Sequence, residues 1–473
     1  MKSNVSAKDE SFRTFALTGD PLRVILSTCG PLALFQALQS IFKILDALMA
    51  SHIGSDAVSA VSCLSQITLM ITALGSGLAV GGSIKISEAY GSGDYEAVRR
   101  RVATVYAMAV IVSIVVAVVL IPFAEPFLRL LRTPEDLISA GAGYFRIEIL
   151  TLVINFFNTV YIAIARSRGH AKRILGLNMV IILVKLGLSA LFVYVLNCGV
   201  TMIAVATLVS QVLTLLYAIV TMFRDEGAFR FSLKNIRFRK DTVLPIVNLS
   251  YPVSAEKMLF AAGKVIVNSM SGMYGALTVG ALGISNNIGG LTTAWHVGFT
   301  DGAAPLISQN RGAGKHARTL QLYFWLLAID ILIGVVGLFA VNNTLPWLAK
   351  IFAQSKNHFD DTFCQMIIDI HRWEMLGYIT LGINSATLAL LLGYGYTKLT
   401  MLLNVARVFV FRVPVLWIFQ QFTSIGAEAV GMTMMISNVC TGLTAIIIAI
   451  PVVWKIRRLA KEERKNPQSE SNN

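Results

Sequence analysis

Apolar stretches long enough to cross a bilayer recur from Leu22 almost to the C-terminus, separated by short polar loops. About 20 consecutive, predominantly apolar residues carry a helix across the hydrocarbon core. On that rule the pattern predicts twelve membrane helices, at 22–48, 58–83, 102–121, 138–165, 174–196, 200–223, 242–272, 278–307, 319–341, 364–393, 398–421 and 428–454. A polar arm, residues 1–20, precedes them. A charged tail follows from Arg457 and has the composition of a disordered segment. An even number of crossings returns both ends to one side.

Composition and charge sharpen this picture. The 473 residues are 55% hydrophobic with a mean hydropathy of +0.67, which excludes a soluble domain. The formal net charge of +14 would suggest nucleic acid if the charges were clustered on one face. They are not. The arm to Arg23, the even-numbered loops and the tail hold 28 of the 40 lysines and arginines, the odd-numbered loops hold 4, and 8 lie within spans. Positive residues stay cytoplasmic, so a multi-pass protein of the cell membrane is expected, with both termini inside and no nucleic-acid partner. The first 20 residues lack the apolar core and cleavage site of a signal peptide, so the first span is expected to insert the chain. Cys29, Cys63, Cys198, Cys364 and Cys440 form no paired motif, which argues against a disulfide or metal framework.

An internal repeat organises the spans. At an offset of 221 residues Pro31 falls on Pro252, Lys43 on Lys264, Met49 on Met270, Gly54 on Gly275 and Gly91-Ser-Gly93 on Gly312-Ala-Gly314. Later the offset becomes 226 (Lys172 on Lys398, Asn178 on Asn404) and then 227 (Gly199 on Gly426, Ser210 on Ser437). The pattern predicts an all-α integral membrane protein of two six-helix lobes, residues 21–223 and 242–456, joined by a basic linker, 224–241. Six crossings per half make the halves parallel repeats, an arrangement that leaves a cleft and suits alternating access.

Some of the charges lie inside the spans. Gln36, Gln39, Lys43 and Asp46 fall on one side of the first helix. A carboxylate at bilayer depth costs about 2.5–3.5 kcal/mol on the insertion scale, so it faces a bundle interior or a wet cavity. Asp46 reads either as a salt-bridge partner of Lys43 or as a protonatable, cation-binding group. The seventh span carries a similar stripe of Lys257, Lys264, Asn268 and Ser271, with Glu256 at its start. Asp301 lies late in the eighth span, in line with Asn287 and Ala294. These acids are not duplicated: Asp46 aligns with Val267, Glu256 with Phe35 and Asp301 with Val80. Lys185 has no acid in its own span, whereas Arg146 with Glu148, Asp330, and Arg407 with Arg412 read as inter-helix pairs or snorkelling side chains. The glycine-rich loops after spans 2 and 8 lack the preceding strand and a Gly-Lys-Ser or Gly-Lys-Thr at the spacing of a phosphate loop, and read as helix ends. Pro31, Pro252 and Pro414 are expected to mark bends. The six histidines show no metal spacing, and no nucleophile–base arrangement suggests an enzyme.

With these residues in view, the chain resembles the multidrug and toxic-compound extrusion (MATE) family over residues 20–456. The resemblance rests on Pro31, on Asp46 in ILDALMASHIGSDAVSAVS, and on GLAVGGSIKISEAYGSGDYEAVRR in the first half. In the second half it rests on YPVSAEKMLFAAGK, GALTVGALGISNNI and SQNRGAGKHAR. It implies two lobes forming a V around a central cavity and a monomeric antiporter that exports organic cations or other amphipathic molecules. Export would be driven by proton or sodium entry, without a cofactor. Asp46 matches the family's acid on span 1, where sodium could bind transiently. Glu256 shares its helix with an acid that some members use. Certain proton-coupled members place an acid four residues after an Asn on span 5. Here Asn178 is followed by Ile182, with Lys185 a turn later. Two alternatives accompany this reading: a flippase for a lipid-linked or amphipathic molecule on the same fold, and a membrane receptor or scaffold that transports nothing.

Overall fold

The computed structural model describes residues 7–53, 55–122, 135–196, 201–225, 227–353 and 361–465. Among them the secondary structure is helical: α1 (Ala7–Thr18), α2 (Pro21–Ile53), α3 (Ser55–Ser92), α4 (Tyr95–Leu120), α5 (Glu135–Ser167), α6 (Ala171–Ala190), α7 (Thr201–Arg224), α8 (Lys240–Ser271), α9 (Ala276–Gly312), α10 (His316–Ala353), α11 (Asp361–Glu374), α12 (Tyr378–Gly393), α13 (Thr397–Phe409), α14 (Val413–Phe422) and α15 (Glu428–Lys465). Each of the twelve expected spans falls on a helix or on a broken pair. Nine spans among the described residues are long and apolar enough to cross a membrane. Helices α3, α8 and α9 are not among those nine. The tail departs from expectation, because α15 continues to Lys465. Its Ala, Glu, Lys and Arg residues are strong helix formers, and Arg458 reaches Glu462 at 3.9 Å, one turn on.

The repeat is visible in how helices end. After α3, Gly93 adopts φ 79°, and after α9 its repeat partner Gly314 adopts φ 73°. Gly169 after α5 (φ 79°) and Gly395 after α12 (φ 78°) form a second pair at the 226-residue offset. In each case the residue after the glycine donates its N–H to a carbonyl five positions back: Asp94 to Ala89, His170 to Ala165, Lys315 to Asn310 and Tyr396 to Leu391. Left-handed backbone is open to glycine at no steric cost, and these paired bonds cap the last carbonyls of a helix. The glycine-rich loops are helix terminators.

The helices gather into two compact units. One holds residues up to Ala16 together with Ile41–Met258, and the other Leu17–Ser40 together with Leu259 onward. The first and seventh spans are thus each divided near the middle. In the first unit, α8 lies so close to α3 that a Cβ at Gly77 would sit 2.7 Å from the Ser250 carbonyl, and one at Gly81 2.8 Å from the Ser250 nitrogen. In the second unit, a Cβ at Gly298 of α9 would sit 2.6 Å from the Ala33 nitrogen of α2, and one at Gly302 2.8 Å from Cys29 Sγ. Gly298 and Gly302 are the repeat partners of Gly77 and Gly81 at the 221-residue offset. Small residues four apart let backbones approach where lipid offers no hydrophobic drive, and the fold uses that device twice.

Helix α1 clasps the first unit. Asp9, buried, takes a 2.6 Å ion pair from Arg168 Nε, and Arg168 Nη1 reaches Asp225 at 2.7 Å. The Tyr90 hydroxyl donates to the Asp9 carbonyl, and Phe12 lies against Gly169. The core beneath is built from Ile86, Val98, Val102, Val105, Val160 and Ile246. In the second unit Ile288, Leu345, Ile367, Ile370 and Tyr378 pack together.

Two stability predictions follow from this packing. Gly298→Ala should lower the thermal midpoint of the detergent-solubilised protein, since overpacking costs about 1–3 kcal/mol. Gly283→Ala on the same helix, where nothing lies within 4 Å, should be neutral or stabilising. Equal shifts for the two would contradict the close-approach account. Arg168→Met strands a buried carboxylate and should cost about 3–5 kcal/mol. Arg100→Ala, which breaks only the exposed pair with Glu96, should stay within about 0.5 kcal/mol in the same melting assay.

Candidate functional site

The buried polar side chains of the second unit converge on α9 and on the break between α11 and α12. Helix α11 ends at Glu374, a 3₁₀ turn spans Met375–Gly377, and α12 restarts at Tyr378. A Cβ at Gly377 would sit 2.6 Å from Asn438 Cβ, so glycine here admits α15. The break brings His371, Glu374 and Tyr378 to one face, opposite Ser285 of α9. Ser285 Oγ donates to Glu374 Oε2 and lies 2.8 Å from His371 Nδ1. His371 Nε2 lies 2.8 Å from the Tyr378 hydroxyl. Gly289, one turn along α9, makes room: a Cβ there would stand 3.4 Å from Glu374 Oε1 and 3.6 Å from His371 Cε1.

The hydrogens of this chain can be assigned by elimination. Ser285 has one proton and gives it to Glu374, so the Nδ1 of His371 must carry the hydrogen that Ser285 accepts. Nε2 is then the acceptor for the Tyr378 hydroxyl. The bonds run in one direction, from Tyr378 through His371 and Ser285 to Glu374. A proton added at Nε2 can leave from Nδ1, pass through Ser285 and appear on Glu374. His371 is fully buried and the Glu374 side chain is 12% exposed.

Beside this chain lies a cationic group. The eleventh span breaks between α13 and α14, with Pro414 in the first turn of α14 and Arg412 just before it. Arg407 Nη2 donates to Asn438 Oδ1 at 2.8 Å, and Arg412 Nη2 reaches the same oxygen at 3.4 Å. Ser437 secures the carbonyl of Arg407 at 2.8 Å. The ring of Phe260 lies 5.5 Å from the Arg407 guanidinium and 5.3 Å from Lys264 Nζ. Further along α9, His296 Nδ1 meets Asp330 Oδ1 of α10 at 2.7 Å, both buried. There Asp330 is the inter-helix pair its position suggested. The hydroxyl of Ser385 donates to the His296 carbonyl at 3.0 Å.

The sequence-derived candidates divide among these places. Gln36 Nε2 donates to Asp301 Oδ2 at 3.2 Å, so the first half of α2 and the end of α9 bring those two together. Gln39 and Asn268 are half-buried, Lys257 and Asn287 are exposed, and Lys264 flanks Phe260. Asn178 is buried and bonds its own helix at Ile174, 2.8 Å away. Lys43 is exposed on α2, and Lys185 of α6 and Glu256 of α8 are half-buried. Asp46 belongs to α2 by its backbone, and its side chain lies outside the described residues. Sequence reasoning missed Ser285, His371, Glu374 and Tyr378. The His-x-x-Glu-x-x-x-Tyr spacing on one helical face, inside a predicted span, was the available signal.

Comparison with known proteins agrees with this architecture. The MatE family model matches residues 31–191 and 252–418. Similar relatives include the probable multidrug resistance protein YoeA of Bacillus subtilis, 22% identical over 84% of this chain and 86% of its own. YpnP of the same organism, a probable multidrug resistance protein, is 21% identical over 94% and 98%. A solved structure described as the outward-facing conformation of a multidrug resistance MATE family transporter superposes with a TM-score of 0.89, at 20% identity, covering 96% of this chain and 99% of that one. The chain shares that fold. It is a multi-pass membrane protein and belongs to the MatE family of multidrug efflux transporters.

Proposed function

We propose that the chain exports amphipathic organic molecules against proton entry, by alternating access, with Glu374 holding the coupling proton in the second repeat. The observation that carries this is the one-directional chain from Tyr378 through His371 and Ser285 to Glu374. It ends on a carboxylate and presents N–H and O–H groups at every step. Hard cations such as sodium need several oxygen ligands, whereas the neighbours of Glu374 are an imidazole, a hydroxyl and, further off, two guanidiniums. The surroundings favour a proton.

Antiport then requires that the protonated and substrate-bound states exclude one another. An ionised Glu374 draws on the field of Arg407 and Arg412 and keeps the Ser285 hydroxyl turned toward it. Protonation releases Ser285 and reverses the chain, so Tyr378 becomes an acceptor from Nε2–H. That local change of charge and direction biases the conformational equilibrium, as switches of this kind do. Asp46 supplies a second acid, in the first repeat, on the helix whose two halves belong to different units. The loop charges support cytoplasmic termini.

The reading is tested in proteoliposomes with proton and sodium gradients imposed separately. The wild type should be driven by the proton gradient alone. Glu374→Gln should lose about tenfold or more in driven efflux, at least 1.4 kcal/mol of coupling, while reaching the membrane in normal amount. Ser285→Ala should shift the pH profile with a smaller loss. Asp46→Asn should abolish coupled export. Undiminished proton-driven efflux in Glu374→Gln would contradict the assignment.

A further inference from the structure

The resemblance to the family leads one to expect cationic substrates, yet the polar residues of the second unit are arranged for the opposite charge. Arg407 and Arg412 converge on one neutral acceptor, Asn438 Oδ1. Neither makes an ion pair among the described residues, and the Nε of each is buried without a hydrogen-bond partner among them. Arg412 is 3% exposed. Glu374 acts on both guanidiniums and can offset only one of their two charges, in a low-dielectric interior where buried charges are ordinarily paired. Glu374 is also engaged by Ser285.

The arrangement also has a direction. Arg412 is enclosed, Arg407 is half-buried, and Lys264 is exposed on the other contact of Phe260. Lys264 and Arg407 thus flank one aromatic ring, and Arg412 lies behind them at the shared Asn438 oxygen, in order of increasing burial. Guanidinium forks match carboxylate and phosphate geometry, with two parallel N–H donors for two oxygens. The Phe260 ring offers apolar contact next to that charge.

We propose that Arg407 and Arg412, with Lys264 at the entrance and Phe260 as the apolar wall, bind the anionic carboxylate or phosphate end of an amphipathic substrate. Because a purely anionic ligand beside Glu374 favours its protonation, whereas antiport needs substrate and proton to exclude one another, the transported class is zwitterionic amphipaths, and purely anionic ones bind without driving exchange. That the ligand is a transported substrate rests on the exporter reading above; that the site binds anions does not.

Binding to the full chain in nanodiscs of neutral phosphatidylcholine, followed by tryptophan fluorescence with no gradient present, tests this. Dodecyl phosphate and dodecanoate should bind, and dodecyltrimethylammonium, of equal chain length, should bind about tenfold or more weakly. Arg407→Gln should weaken dodecyl phosphate binding about tenfold to a hundredfold, the range of hydrogen bonds to charged groups. Lys264→Gln, at the exposed end, should weaken it less, and Arg407→Lys should retain part of it; these two guard against a misfolded variant. Adding phosphatidylglycerol to the discs separates the sources. Competition with dodecyl phosphate that disappears in Arg407→Gln identifies a lipid headgroup as the natural ligand, and absence of competition identifies a free amphipath; either agrees with an anion site. Equal binding of the ammonium analogue, or unchanged phosphate binding in Arg407→Gln, would overturn the proposal. Because no gradient is used, loss of proton coupling leaves these results unaffected.

Discussion

A charge at bilayer depth must find partners inside the protein, and most of this structure can be understood from that constraint. The lysines and arginines that can stay in water do so, on alternate loops. Of the eight within spans, four lie in the second unit, Lys264, Arg372, Arg407 and Arg412. There helix breaks, at Met375–Gly377 and between α13 and α14, turn polar side chains and backbone toward one another. Irregular backbone at membrane depth is tolerated where protein covers it. In this chain each break has a charged residue beside it, Glu374 at one and Arg412 at the other.

Polar interiors require close helices, and close helices require small residues. Gly77 and Gly81 in the first unit, and Gly298 and Gly302 in the second, solve one packing problem twice at the same repeat offset. Gly289 and Gly377 serve the site more directly, since each leaves the volume in which a neighbouring polar side chain is set. Symmetric glycines build the scaffold. Among the polar residues of the site, Glu374 repeats Glu148 at the 226-residue offset, whereas Ser285, His371 and Tyr378 have no polar counterpart in the first half.

This division explains what could be read from the sequence. The twelve spans, the repeat and the helix-ending role of Gly93 and Gly314 depend on local pattern and chain offset, which the residues display directly. The junction of Gln36 with Asp301 is half visible, because each marks a polar position on its own helix while a separation of 265 residues hides that they are neighbours. The Ser285 network was not visible: Ser285 and Glu374 are 89 residues apart, and nothing local to either announces the other. By position alone Arg407 and Arg412 read as an inter-helix pair or as snorkelling chains. Pattern alone could not reveal that their shared acceptor is neutral, because that depends on the packing of α15 against Gly377.

The central claim is that Glu374 exchanges a proton when the site changes occupancy. Its most direct measurement is the proton count on substrate binding, in weakly buffered detergent solution, with a pH-sensitive dye. At a pH low enough to protonate Glu374 in the free protein, binding of a transported amphipath should release close to one proton per molecule from the wild type and none through this site from Glu374→Gln. Equal release from both proteins, with binding intact, would contradict the account.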